Sequence, residues 1–421
     1  MPNFIIINTK LKVSEMKNSS IILLSAALAL AACSSARQGA QKHNADKNPQ
    51  DYHVCAYIWP SCHDDSLAHE LIWPGGQGEW EIINAGTPRF PGHYQPREPL
   101  WKGDQDDDPA VVEKWINTAL KYGVNTFIYD WYWFHHYPFL EEALDNGFLK
   151  APSNEKMNFY IMYANHEVTN YWNPHINSDT KTLTFDPRID WAQWKIIVNR
   201  VITQYFHRPN YVKIDGCPVM GMWDFDFFTE SFGSLEEAGK AMDYFREEVK
   251  KAGFPDLHLQ KCGGIWPRGK EETARIKEQI KRFGIASTAG YNMGGKDMDY
   301  IRHGMQAIEY RQRWYDEYGI PLFPTASIGW DDTPRYPLKG EKDVTRYNHS
   351  PEAFASFLQT AKEWADDHAD TQPKFVMINA WNEYVEGSYL LPDRYWGFRF
   401  LEAVRDVFDG KYDNPSRKSD K

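Results

Sequence analysis

The run Lys374-Phe375-Val376-Met377-Ile378-Asn379-Ala380 is continued without a gap by Trp381-Asn382-Glu383-Tyr384-Val385-Glu386-Gly387. The first seven residues are mostly apolar with no strict alternation, the pattern of a parallel strand covered on both faces. The next seven turn abruptly to an amide, two carboxyls and aromatics. Parallel α/β folds collect their chemistry at the C-terminal ends of their strands. A buried strand that opens into such residues therefore predicts a site at its end.

Working outward, the same kind of run recurs upstream at 53–59 (HVCAYIW), 125–131 (NTFIYDW), 158–164 (NFYIMYA), 217–223 (CPVMGMW), 257–261 (LHLQK), 285–290 (IASTAG) and 322–328 (LFPTASI), the fifth and sixth of the eight strands being the weakest. Helical patterns separate them, at 109–122, 139–149, 190–207, 234–252, 270–283, 298–318, 351–370 and 395–409. In 351–370, Phe354, Phe357, Leu358, Ala361 and Trp364 fall on one stripe, and Pro351 suits a first helical position. Alternating strands and helices predict a parallel sheet. Eight units, with no Gly-rich phosphate loop after the first strand, favour a single (β/α)8 TIM barrel over a doubly wound sheet. The catalytic domain is expected over 51–421, with 60–108 as a long loop insertion after strand one; structureless loops of that length are usually functional.

The ends of these strands supply a consistent list of candidate sugar-binding residues. Strand one ends at Trp59, and its loop carries Glu79, His93 and Tyr94. Strand two gives Asp130, Tyr132 and Trp133, strand three Asn165, His166 and Glu167, and strand four Trp223 and Asp224. Strand six gives Tyr291, strand seven Trp330, Asp331 and Arg335, and strand eight Trp381 and Asn382. One Asp or Asn after a strand is commonly a helix cap, and one Trp is commonly core. Their joint recurrence suits a carbohydrate site, with rings to stack on sugars and carboxyls and amides for hydroxyl groups. Glu383 and Glu386 are the candidate catalytic pair. Glycosidic cleavage needs two carboxyls in opposed roles. A spacing of three puts both on one face if the segment takes a helical turn. Two close acids in a dry site repel, so one is expected to keep its proton near neutrality. His93, His166 and Glu167 lack metal-ligand spacing, and no nucleophile elbow is present, so neither a metal nor another cofactor is expected.

Composition agrees. With 47 Lys+Arg against 58 Asp+Glu, the net charge of −11 disfavours a nucleic-acid partner, which requires a basic footprint. Seventeen Trp, 24 Tyr and 23 Phe supply both a large core and rings for an oligo- or polysaccharide partner. Ile21–Ala32 is an apolar run after Lys17, too short to span a bilayer, and reads as a signal peptide over 1–32. Leu30-Ala31-Ala32-Cys33 resembles a bacterial lipobox. Cys33 is then the lipidated residue, 33–50 a polar tether, and the only membrane attachment a lipid anchor in the cell envelope. Cys55, Cys62, Cys217 and Cys262 allow three disulfide pairings; buried free thiols are expected, because Cys55 and Cys217 sit in apolar runs.

The string Asn379–Leu390, followed by Pro392-Asp393, resembles the C-terminal motif of WbsX-like proteins, which are similar to glycoside hydrolase family 99. The resemblance extends through Gly78-Glu79-Trp80, Gly92–Pro96, Asp130–Phe134, Ala164–Glu167 and Gly329–Arg335, covering most of 53–408. It implies a (β/α)8 barrel and a retaining, metal-independent, endo-acting α-mannosidase. Its Asn-Glu-x-x-Glu-Gly motif falls on Asn382, Glu383, Glu386 and Gly387. Glu383 is then the base toward the sugar 2-hydroxyl, and Glu386 the acid that protonates the leaving oxygen. Tyr384, where that group usually has Trp, and Val168-Thr169-Asn170, where it has Trp-Thr-Arg, are departures that imply a different subsite near strand three. The alternatives are a non-catalytic glycan-binding lipoprotein and a WbsX-type glycosyltransferase.

Overall fold

A computed structural model describes residues 52–412 except 96, 135, 174–180, 296 and 337–347. The expected signal peptide, Cys33 and the tether lie outside the described residues. Among the described residues no helix is long and apolar enough to cross a membrane.

All eight expected strands form: β1 (His53–Ile58), β2 (Thr126–Phe134), β3 (Asn158–Tyr163), β4 (Cys217–Met222), β5 (His258–Lys261), β6 (Ile285–Ala289), β7 and β8 (Phe375–Asn379). β7 comprises Leu322–Phe323 and Thr325–Ser327, either side of Pro324. The order around the sheet is sequential, and every neighbouring pair is parallel. β7 brings the ring together in halves: Leu322–Phe323 pair with Thr288–Ala289 of β6, and Thr325–Ser327 with Met377–Asn379 of β8. Pro324 has no N–H for either ladder, but its carbonyl accepts from Met377 N at 2.8 Å. The chain is thus a parallel, nearly closed α/β barrel.

The outer layer holds α1 (Pro109–Lys121), α2 (Trp191–Val201), α3 (Phe225–Phe232), α4 (Leu235–Lys251), α5 (Lys270–Phe283), α6 (Tyr300–Tyr318), α7 (Pro351–Asp367) and α8 (Arg399–Phe408). Most start on side-chain caps: Asp108, Asp190 in a capping box with Gln193, Asp224, Ser234, Asp299 and Ser350 accept from free first-turn N–H groups. The stripe Phe354, Phe357, Leu358, Ala361 and Trp364 is buried, as its spacing requires. The helix expected at 139–149 is instead a π-turn, Ala143–Gly147, running into a 3-10 turn, Phe148–Lys150. Asp145, Asn146 and Gly147 are weak helix formers, so packing sets their path. The 60–108 insertion is more ordered than a bare loop, with short helices at Ser66–Leu71 and Trp80–Ala85 and with Trp73 and Trp80 buried. The four described cysteines are free thiols, Cys217 half-buried and the others buried.

Candidate active site

After β8 the chain passes Ala380 and Trp381 into a short antiparallel ribbon, in which Asn382–Glu383 pairs with Ser388–Tyr389. The turn between them closes with Gly387 N donating to Tyr384 O at 3.0 Å. Gly387 has φ 62°, and a Cβ there would also stand 3.3 Å from Asp331 N, so glycine suits the position twice over. Glu383 therefore lies on a strand and Glu386 in a turn. A hairpin, not the helical turn considered from spacing alone, brings them together. Neither is a surface residue opening the last helix: they are 4% and 9% exposed, and α8 starts only at Arg399.

Amide side chains fix this ribbon. Asn382 accepts from Trp59 N at 2.9 Å and donates to Trp59 O at 2.6 Å, tying the ribbon to the end of β1. Gln95 Nε2 lies 2.9, 3.0 and 3.2 Å from the carbonyl oxygens of Asp331, Tyr384 and Val385. Asp331 N donates to Glu386 O at 2.6 Å. His93 Nδ1 accepts from Arg89 N at 3.0 Å, which leaves its Nε2–H to donate to Asp331 at 2.8 Å. The insertion after β1 is thereby stapled to the loop after β7.

The two glutamates line a cavity of about 370 Å³ at the C-terminal mouth of the barrel. Arg335, buried, is its charged centre: Nη1 donates to Glu386 Oε1 at 2.5 Å, Nη2 to Glu79 Oε1 at 2.7 Å, and Nη2 lies 3.6 Å from Glu383 Oε2. Glu79, carried by the insertion, also accepts from Trp59 Nε1 at 2.8 Å. Tyr291 OH sits 3.1 Å from Glu383 Oε1 and 3.2 Å from Asp130 Oδ2. One hydroxyl carries one proton, so one of those two carboxyls must itself be protonated for both contacts to be hydrogen bonds. Burial pushes Asp130 well above the usual carboxylate range, with the charge of Glu386 adding to it. Burial likewise raises Glu383, reinforced by the Glu386 charge and opposed by Arg335. Burial raises Glu386 to about 7, against the pull of Arg335. Glu383 Oε2, Glu386 Oε2 and Asp130 Oδ1 are buried and accept no hydrogen bond among the described residues. Burial keeps His166 neutral; its Nδ1 donates to Glu167 O at 3.0 Å, so Nε2 is left as an acceptor.

Of the residues predicted from sequence, Trp59, Asp130, Tyr132, His166, Trp223, Tyr291, Trp330, Arg335, Glu383 and Glu386 line the cavity. The others do not, and each has a separate task. Glu79 stands behind Arg335. Asn382, His93 and Asp331 position loops. Asn165 bridges the N–H and carbonyl of Asp224, and Asp224 caps α3. Trp133 packs on Trp131, Trp381 on Trp115 and Phe127, and Tyr94 on Tyr395. Glu167 faces solvent, 3.9 Å from Arg188. The sequence reading missed Tyr171, Trp172 and Trp266, which line the cavity from irregular segments. Among the described residues, one group of metal-ligating type comes together, His63, Asp65 and Glu142. Its members are engaged: despite burial, Asp106 and Glu142 hold the pKa of His63 up at about 10, and Asp65 caps a helix.

Comparisons with known proteins bear on the family and the fold. The model of the family described as Glycosyltransferase WbsX matches residues 54–404. A protein of Xanthomonas campestris pv. campestris, described as "Uncharacterized protein WxcX", is 26% identical over 350 residues, 80% of this chain and 47% of the relative. A second strain's counterpart matches equally, so the chain spans about half the length of the curated relatives it matches. The family 99 endo-alpha-mannosidase from Bacteroides thetaiotaomicron superposes with a TM-score of 0.55 at 13% identity, over 85% of this chain and 97% of that one. A structure described as a glycoside hydrolase-like protein gives 0.54 at 13%, over 86% and 97%. At such identity the likeness is one of fold, a TIM barrel. By the extent of the family match, the chain belongs to the WbsX family.

Proposed function

We propose that this chain is a retaining glycoside hydrolase that cleaves an α-linked glycan with Glu383 and Glu386. The observation that carries the reading is the pair itself: two buried carboxyls, each with one oxygen that accepts no hydrogen bond, lining an aromatic-walled cavity. Glu386, with a pKa near 7, is suited to give a proton and later take one. In the first step Glu386 protonates the leaving oxygen while Glu383 takes the proton of the sugar 2-hydroxyl, whose oxygen attacks C1. In the second, Glu386 takes a proton from water as that water attacks C1. The C1–O2 bond breaks, and O2 regains its proton from Glu383. Arg335, 3.6 Å from Glu383 Oε2, favours the charged form that the base role needs.

The test is digestion of a glycan panel, α-mannans first, with products read by mass spectrometry beside Glu383→Gln and Glu386→Gln. Products from wild type and not from either folded variant support the reading. Equal products from a variant overturn it.

The family description favours a second reading, a glycosyltransferase. A nucleotide-sugar donor brings a diphosphate that needs cationic partners. Among the described residues lining the cavity Arg335 is the one cation, and Glu79 and Glu386 already engage it. Saturable binding of a nucleotide sugar would favour the transferase. Endo action and a mannan-like substrate belong to the hydrolase proposal, as does lipid anchoring of the protein at Cys33 in a bacterial envelope. Loss of membrane association in Cys33→Ala tests the anchor.

A further inference from the structure

β5 ends in Lys261, at the level of the barrel where the site is built. The residue is only 9% exposed, yet its ammonium makes no hydrogen bond or ion pair among the described residues. Burial lowers its pKa, which marks a charge held without full compensation. It lines a second cavity of about 310 Å³ that shares Trp223, Gly264 and Trp266 with the catalytic cavity. The two spaces are therefore neighbours across one aromatic wall.

That wall is built closely. The Trp266 ring lies so near Gly264 that a Cβ there would stand 1.5 Å from it, and the Arg268 guanidinium sits 4.3 Å from the ring centroid on the indole. Arg268 Nε is buried and donates to no acceptor. The acids of the second cavity are engaged within it. Asp226 pairs with Arg275 at 2.8 Å and accepts from Gln279 at 2.7 Å, Glu272 pairs with Arg268 at 2.7 Å, and Asp224 caps α3. The Lys261 ammonium, 6.0 Å from the Phe225 ring centroid and in the field of Asp224 and Asp226, and the Arg268 Nε–H are left without a hydrogen-bond acceptor among the described residues.

We propose that this second cavity is a subsite for an anionic substituent of the glycan, a carboxylate, sulfate or phosphate, with Lys261 as its charge partner and Arg268 as the second donor. The inference rests on the reading that the catalytic cavity takes a glycan. It deepens that reading by making the substrate acidic. A net-acidic protein that spends a buried lysine beside its active site selects for charge at one position of the chain rather than attracting polyanions generally.

The test is a titration of D-glucuronate, sulfate and phosphate, each at constant ionic strength set with sodium chloride, with D-glucose as the neutral control. Tryptophan fluorescence and calorimetry read binding to wild type, Lys261→Met, Lys261→Arg and Arg268→Gln. The expected result is saturable binding of at least one anion and none of glucose, weakened at least tenfold in Lys261→Met, less in Lys261→Arg. The tightest anion names the source of the charge. No saturable response to any of the three, or an undiminished response in Lys261→Met, overturns the proposal. Should Lys261→Met not fold, undiminished binding in Arg268→Gln and Lys261→Arg overturns it. Glu386→Gln is expected to bind the anion as wild type does. Intact anion binding without hydrolysis of any glycan thus removes the hydrolase reading alone, and hydrolysis of neutral glycans without anion binding removes this one alone.

Discussion

Two regions of this molecule bury carboxyls with an arginine and a tyrosine, and they end differently. Outside the barrel, Glu141 accepts from Trp131 Nε1 at 2.7 Å, Arg200 Nε at 2.8 Å and Tyr205 OH at 2.6 Å, and also from Arg200 Nη2. Both oxygens of that carboxylate have donors, three on Oε1 and one on Oε2. At the barrel mouth, Glu383, Glu386 and Asp130 each keep one buried oxygen with no donor among the described residues. Leaving a buried acceptor unpaired costs about 1–3 kcal/mol. The Glu141 cluster is supplied with donors on both oxygens, and the acids at the mouth are left open toward the cavity, where the proposed substrate would complete them.

The largest effect that sharpens this contrast is on turnover. Glu383→Gln and Glu386→Gln should each lower kcat by about 10³-fold or more with the circular dichroism spectrum and m-value unchanged. Near-wild-type turnover would put the mouth in the same class as the Glu141 cluster. Glu141→Gln should do the reverse. It removes the charge that Arg200 needs and should cost about 3 kcal/mol in denaturant melts, with kcat per folded molecule intact. A change in kcat larger than the change in stability would break the comparison.

Next comes the pH dependence of stability. The folded pKa of Glu386, about 7, lies above its unfolded value, so the folded state binds the extra proton between about pH 4.5 and 7. Stability must then fall as pH rises through that window. Glu386→Gln, which cannot ionise, should be more stable than wild type at pH 8 by on the order of 2 kcal/mol and little different at pH 5. Equal gains at both pH values would show that the carboxyl is not held protonated. The smallest effect is expected from Tyr291→Phe, about tenfold in kcat/KM. Asp130 loses the hydrogen bond that lowers its pKa, so the acid limb of the pH profile should move up.

The barrel was legible because buried parallel strands are apolar runs and their order follows the chain. The Glu pair, Arg335 and Asp130 were legible because a strand end fixes position. The misplacement of Trp133 has a simple cause. Side chains alternate along a strand, so Asp130 and Tyr132 face the cavity while Trp131 and Trp133 face the helices; the period-two rule already separates them. Asn165 and Asp224 took the capping and bridging jobs that such residues commonly take after strands. Tyr171, Trp172 and Trp266 could not be found, since no periodicity describes the irregular segments that carry them. The angle of approach of Glu383 and Glu386 was also hidden, because a hairpin of two-residue strands leaves no pattern in four residues.

The divided strand β7 has a mechanical consequence. Its ladder to β6, Thr288↔Leu322 and Ala289↔Phe323, is the shortest in the ring, and its ladder to β8 runs only from Thr325↔Met377 to Ser327↔Asn379, whereas β2 and β3 run together from Thr126↔Asn158 to Trp131↔Tyr163. β7 is therefore the seam of the hoop, the place where amide exchange with solvent should be fastest among the strands. Arg335 hangs from the loop that leaves this seam. On warming, the seam loosens before the hoop opens, and the cation drifts from both glutamates while the rest of the wall still stands. Heat should thus abolish the proposed turnover several degrees before it unfolds the chain.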